Sequence, residues 1–182
     1  FKKGAPEISV KTVGVSKKPV KTMGGLTVIP DCIIDDIAVN EKSVLLLPGA
    51  NTWDHPAHGI IIKKAGELLA ADAVVCAICG ATVALANAGL LDKRRHTSNG
   101  AGYLEMVSPI YKGQNFYVDN PSVADHNLIT ASSTGALLWA KQIIAYLDVF
   151  HPNTLDAWYA YFCTGEAQQF FVLMQTLSAN TE

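Results

Sequence analysis

The chain has 182 residues, 49% of them hydrophobic and only 16% charged, which is enough apolar material for one sizeable core and argues against disorder. Its net charge of −2 leaves no basic face for phosphate backbones, so nucleic acid is excluded as the expected partner and a small molecule fits better. No apolar run reaches the roughly 20 residues that cross a bilayer, and Phe1-Lys2-Lys3-Gly4 is not a secretory signal, so the expectation is a cytoplasmic protein with no membrane contact.

In chain order, residues 8–14 alternate as a strand, Lys17-Lys18-Pro19 makes a turn, and residues 24–30 form a short edge strand between breakers. The run Ser43-Val44-Leu45-Leu46-Leu47, stopped by Pro48-Gly49, predicts a strand buried on both faces of a parallel sheet. A loop follows to residue 59. Ile61, Ile62, Ala65, Leu68 and Leu69 then fall at helical spacing. The apolar run from Ala73 to Ile78 predicts the next strand, leading directly into a helix over residues 80–89. After Leu91 the pattern loosens, then tightens at Asn127-Leu128-Ile129-Thr130-Ala131, a last strand. The helix after it shows one apolar face at Ala136, Leu137, Ala140, Ile143, Ile144 and Leu147, with Ser132, Ser133 or Thr134 as its N-terminal cap. Pro152 closes that unit. Residues 154–162 and 165–177 predict two aromatic-rich helices, which must cover either their own sheet or a second subunit. The β-α-β-α alternation predicts an α/β sandwich over residues 1–150 with a helical extension over 151–182.

Four cysteines, Cys32, Cys76, Cys79 and Cys163, are too few and too irregular for a disulfide framework. Cys79 sits where strand passes into helix. Ala77, Gly80 and Ala81 around it are the tiny residues that such a corner demands, and the helix would aim its free N–H groups at the sulfur, favouring the nucleophilic thiolate. Cys76, three residues back within the strand, is about 10 Å away and beyond disulfide reach; it reads as a core residue. No further Cys or His pair at matching spacing completes a zinc site, so no metal is expected. Ligands of open parallel sheets bind at the carboxyl ends of strands, which here means Gly49 and Ala50 after one strand and Gly80 after the other, as donors to an oxyanion. Among five histidines His96 is the best candidate base; His55 and His58 flank Pro56 in a loop with Trp53 and Asp54.

Leu45-Leu46-Leu47-Pro48-Gly49-Ala50, Ala77-Ile78-Cys79-Gly80-Ala81-Thr82, Ala86-Asn87-Ala88-Gly89-Leu90-Leu91, His96-Thr97-Ser98-Asn99 and Asn127-Leu128-Ile129-Thr130 resemble the DJ-1/PfpI (ThiJ) branch of the class I glutamine amidotransferase-like superfamily. The resemblance runs from residue 8 to about residue 147. It implies a flavodoxin-like three-layer sandwich with a mostly parallel sheet, commonly a homodimer, with Cys79 as reactive thiol, Gly49 and Gly80 beside it, and no cofactor; Asn99 and Thr130 in these motifs, and Trp53 in the loop after Gly49, are the expected pocket residues. In two respects the chain departs from the family pattern. Family chains begin with a strand and helix whose junction carries a Glu bonded to the cysteine, and this sequence starts after that point, so the expectation is that an N-terminal segment is missing from it. PfpI-type peptidases have His directly after the cysteine, where Gly80 stands here, so peptidase chemistry is not expected.

Two function classes follow. One is an enzyme in which Cys79 adds to a small carbonyl or amide substrate, of hydrolase, glyoxalase or amidotransferase type. The other is an oxidative-stress sensor or protective protein in which Cys79 is oxidised without turnover. A histidine within hydrogen-bond reach of the sulfur favours the first, whereas only a carboxyl group and backbone amides favour the second. A non-catalytic binding relative, dimeric through its aromatic tail, is the third reading.

Overall fold

The computed structural model describes residue 5 and residues 7–179. The elements in chain order are β1 (Val13–Gly14), β2 (Val20–Lys21), β3 (Thr27–Val28), β4 (Cys32–Ile33), β5 (Val44–Leu47), α1 (Gly59–Ala70), β6 (Val74–Ile78), α2 (Gly80–Asn87), α3 (Tyr103–Val107), β7 (Ser122–Asp125), β8 (Leu128–Ala131), α4 (Ala136–Leu147), α5 (Pro152–Thr164) and α6 (Ala167–Ala179). The main sheet has the order β5-β6-β8-β7, with the first three strands parallel and β7 antiparallel to β8. Two short pairs, β1 with β4 in parallel and the β2–β3 hairpin, precede it.

Because successive side chains on a strand point to opposite faces, β6 feeds two cores. Val75 and Ala77 meet Ala65, Leu68 and Leu69 of α1 and Ala81, Ala84 and Leu85 of α2 on one face. Val74 and Cys76 meet Ile129 of β8 and Ile143 of α4 on the other. The molecule is therefore a three-layer α/β sandwich with a mostly parallel sheet. Among the described residues no helix is long and apolar enough to cross a membrane.

Several local expectations are revised. Over residues 8–14 only Val13–Gly14 forms a strand. Strand β5 is not buried on both faces: Leu46 is 48% exposed, and among the described residues the strand pairs with β6 alone. Strand β7 and the short helix α3 lie in the stretch whose pattern was too irregular to read. The cap of α4 is Gly135, with no side-chain hydrogen bond, instead of Ser132, Ser133 or Thr134. The reason is space: a Cβ at residue 135 would overlap the Pro121 carbonyl oxygen, so the chain needs glycine there. Ser132 spends its hydroxyl on that same carbonyl, at 3.3 Å. Pro152, expected to close the α4 unit, opens α5, where its missing N–H costs nothing.

The loop before β8 is tied to the rest of the sheet by one side chain. The buried Asn127 amide donates to the carbonyls of Leu69 (3.0 Å) and Ala73 (2.8 Å), and its oxygen accepts from Arg94 Nη1 at 2.7 Å. Leaving those carbonyls unpaired is costly, so Asn127→Ala is expected to destabilise the fold by about 2 kcal/mol. Urea unfolding checks this as a lower midpoint at unchanged slope; an unchanged midpoint would show that the tie is replaceable.

Candidate active site around Cys79

Strand β6 ends at Ile78 and α2 begins at Gly80, leaving Cys79 alone in the corner with φ 58° and ψ −125°. A positive φ in a non-glycine residue costs of order 1–3 kcal/mol and persists only where neighbours hold it. The holding bonds are on both sides. The Cys79 N–H donates to the Ala131 carbonyl at the end of β8 (3.0 Å). Its carbonyl accepts from the Thr82 N–H (3.0 Å) and from Thr82 Oγ1 (2.6 Å). Thr82 Oγ1 is in turn 2.6 Å from the buried hydroxyl of Ser98. The sulfur-bearing residue is half-buried, whereas Cys76 is fully buried, and burial pushes its thiol up to about 12. All four cysteines are unbridged.

The loop after β5 lies directly against this corner. A Cβ at Gly49 would sit 3.1 Å from Cys79 Cβ and 3.7 Å from its sulfur. A Cβ at Gly80 would overlap the Ala50 carbonyl oxygen. Glycine at residue 80 is thus a requirement of close packing and at residue 49 a relief of a tight one, and together they leave the backbone beside the sulfur uncovered. Among the described residues the N–H groups of Gly49, Ala50 and Gly80 find no acceptor.

Asn99 completes the surroundings. Its Nδ2 is 3.5 Å from Cys79 Sγ, a long N–H···S hydrogen bond, while its Oδ1 accepts from the Ser133 N–H at 2.9 Å. The amide is therefore oriented by the loop that enters α4. The segment carrying Asn99 is fixed further back: the Thr97 N–H donates to Thr130 Oγ1 (2.9 Å) and Thr97 Oγ1 to the Asn120 carbonyl (2.8 Å). Thr130, expected in the pocket, is fully buried, so its hydroxyl positions this segment and does not line an open site. Ser133, Ser98 and Thr82 were not expected at the site. Thr82 and Ser98 stand inside the quoted motifs, but a small hydroxyl there gives no sign of which partner it will bond, and Ser133 carries no signal beyond its place before a helix.

His96 is also corrected. It is fully buried, its Nδ1 lies 2.6 Å from the Arg94 carbonyl and its Nε2 lies 2.6 Å from the Tyr111 hydroxyl. A carbonyl can only accept, so Nδ1 carries the proton and Nε2 accepts from Tyr111. Burial lowers the His96 pKa and raises that of Tyr111, which keeps the ring neutral and the phenol a donor. With both nitrogens engaged, His96 has none left for Cys79. Trp53 donates from Nε1 to the Pro48 carbonyl at 2.8 Å, and its ring stacks edgewise on His58. With Asp54, His55 and Asn87 it lines an open groove of about 500 Å³ between α1 and α2. Cys79 is not part of that groove's lining.

The model of the DJ-1/PfpI family matches residues 1–146. Among curated relatives, "Uncharacterized protease YoaZ" of Bacillus subtilis (strain 168) is 44% identical over 178 residues, covering 98% of this chain and 85% of that protein. "Uncharacterized protease YdeA" of the same organism is 29% identical over 150 residues, covering 81% of this chain and 73% of that protein. Among solved structures, a thiJ/pfpI family protein from Bacillus anthracis is similar with a TM-score of 0.88 and 43% identity, covering 90% of this chain and 77% of the other. A DJ-1 superfamily protein from Agrobacterium tumefaciens has a TM-score of 0.74 and 28% identity, covering 84% and 81%.

The geometry yields two expected outcomes. On the native protein, iodoacetamide should label Cys79 well before Cys76, and Gly80→Ala should slow labelling of Cys79 by moving the Ala50 carbonyl; peptide mass spectrometry reads both, and equal labelling of Cys76 would contradict the burial described. His96 has its pKa lowered in the folded state, so its contribution is complete above the ordinary value of 6.5 and declines as pH falls below it, when only the unfolded chain takes the proton. Wild type should therefore lose more stability than His96→Gln between neutral and mildly acidic pH, measured by urea midpoints at each pH.

Proposed function

The chain belongs to the DJ-1/PfpI family, and on that premise we propose that Cys79 is a reacting thiol that adds to the electrophilic carbon of a small carbonyl compound. The observation that carries this reading is the corner itself: a half-buried cysteine at φ 58° with an amide donor 3.5 Å from its sulfur and three unpaired backbone N–H groups in the adjoining segments. In the addition a C–S bond forms as the carbonyl π pair moves onto oxygen, the thiol proton leaves through water, and water returns a proton to that oxygen to give a hemithioacetal. No internal base is consumed in this balance. The Asn99 amide and the N–H groups of Gly49, Ala50 and Gly80 supply donors for the charge that builds on oxygen, a role worth roughly 3 kcal/mol per donor where it is aligned.

An amide or peptide substrate asks for more, because its leaving nitrogen must receive a proton as it departs. His96 has no ring nitrogen to offer, and Gly80 occupies the position after the cysteine. The Bacillus subtilis relatives carry the word protease in their names, so peptide substrates belong in the test.

A second reading is favoured by the identity of the side chain at the sulfur, which is an amide donor and not an imidazole. Peroxide would transfer one oxygen to the Cys79 thiolate, giving sulfenate and releasing water; a second peroxide would give sulfinate, and the same donors would hold the added negative charge. In that role the protein reports or absorbs oxidant without turnover.

Turnover of a panel of small aldehydes, alongside fluorogenic peptides, separates the readings. Cys79→Ser should abolish aldehyde turnover, and Asn99→Ala should lower it by about tenfold or more. Full activity in Cys79→Ser would end the proposal. No aldehyde turnover, together with oxygen addition confined to the Cys79 peptide after peroxide, would favour the second reading, and cleavage of peptides would favour the chemistry named for the relatives.

A further inference from the structure

Helices α1 and α2 follow the parallel neighbours β5 and β6 and pack on the same face of the sheet, so they run side by side in the same direction. Between them lies the open groove of about 500 Å³. Along α1 it is bordered by Gly59, Ile62, Lys63 and Gly66, which share one helix face, and along α2 by Ala84, Asn87 and Ala88. The two glycines and two alanines among these carry nothing beyond a methyl group, which keeps the trough open. A Cβ at Gly59 would meet no atom within 4 Å, so the near end is free space. The far end closes where Leu90 Cδ2 lies 3.6 Å from the position of a Gly66 Cβ.

The near end is continuous with the Cys79 corner. Ala84 and Ala88 stand one and two turns beyond Gly80 on the same face of α2, a face that spans about 12 Å from Gly80 to Ala88. Trp53 joins the two regions, because it walls the groove while its Cδ1 lies 3.6 Å from the position of a Gly80 Cβ. That ring is held in place. Its Nε1 donates to the Pro48 carbonyl at 2.8 Å, and its edge rests on His58, whose Nδ1 donates to the Thr52 carbonyl at 2.6 Å. A wall fixed in this way receives a ligand at little ordering cost.

We propose that this groove holds the unreacting tail of the substrate, and that the substrate is an aldehyde with an uncharged, medium-length apolar chain. The inference rests on the reading of Cys79 as the thiol that adds to a carbonyl. Length follows from the geometry: with its carbonyl at the corner, a chain laid along α2 reaches Leu90 when it is about as long as that of octanal. Polarity follows from the lining. Trp53, Pro56, Ile62 and Leu90 present apolar walls, the usual make-up of a small-molecule site. Charge is confined to the rim, where the exposed Asp54 and Lys63 are of opposite sign and Lys63 is shared with Glu67 at 3.9 Å. Opposed rim charges offer a charged tail no net attraction to offset its desolvation.

Two measurements test this, and the first does not depend on Cys79. 1-Octanol carries the same chain without an electrophilic carbon. Added to the wild-type protein, it should shift the amide NMR signals of Gly66 and Ala88 and the Trp53 indole signal. Gly59→Leu, which fills the near end without meeting another side chain, should abolish those shifts. The site has helical dihedrals, φ −55° and ψ −34°, and leucine is the better helix former, so the variant should keep the fold. In turnover, kcat/KM should rise from propanal to octanal by about threefold per methylene. Gly59→Leu should flatten that rise while leaving propanal unchanged. Octanol shifts that lie elsewhere or survive Gly59→Leu, or an octanal no better than propanal, would overturn the proposal. Octanol binding as described, with no aldehyde turned over, would uphold the groove as a ligand site and overturn its link to Cys79.

Discussion

A cysteine at φ 58° is the constraint on which the candidate site depends. Such a backbone is unfavourable in isolation, and it holds because β8 takes the Cys79 N–H through Ala131 while Thr82 takes the carbonyl twice over. The bond to Ala131 exists only if β6 and β8 run parallel in the observed register, with Ile78 opposite Ala131. A shift of one residue would reverse the faces of β6 and send Val75 and Ala77 away from the α1–α2 core. The burial of that core therefore enforces the register, the register delivers Ala131 to Cys79, and Ala131 helps hold the strained corner. The geometry of the corner is thereby coupled to the stability of the whole sandwich.

The same constraint governs what surrounds the sulfur. Strand β5 ends beside β6, with Leu47 opposite Ala77, so the loop that follows must pass the corner at close range. At residue 80 only glycine permits this, since a methyl group would overlap the Ala50 carbonyl oxygen, and at residue 49 a methyl group would press against Cys79 at 3.1 Å. On the other side, Asn99 reaches the sulfur from a segment locked by Thr97, Ser98 and Thr130. The Asn99 donor thus rests on hydrogen bonds one layer further in. Such a site is preorganised: its donors need little rearrangement when charge develops.

Much of this arrangement was legible in the sequence because it rests on strong local patterns. The apolar run into Cys79, the tiny residues around it and the helical spacing of α1 and α4 each have one reading that physics favours. What was not legible depended on distant partners. Nothing near His96 in sequence tells that Tyr111 will occupy its second nitrogen, so a buried structural histidine looks like a base. Thr130 stands in a recognisable motif, yet only its burial reveals that it serves Thr97. The exposure of Leu46 in β5 was likewise hidden, because a run of leucines reads alike whether or not both faces of its strand are covered. Gly135 fits the same pattern: the space it preserves belongs to Pro121, on a different strand's approach.

The engagement of His96 narrows the chemistry more than any feature of the cysteine does. Addition of a thiol to a carbonyl moves one proton from sulfur to oxygen, and water can carry it, so the donors already present suffice. Expulsion of an amine needs a proton delivered at the moment the bond breaks, and an amide side chain such as Asn99 cannot give one up. The described site is rich in fixed hydrogen-bond donors and, at the sulfur, poor in groups that titrate. Such an environment stabilises negative charge better than it transfers protons.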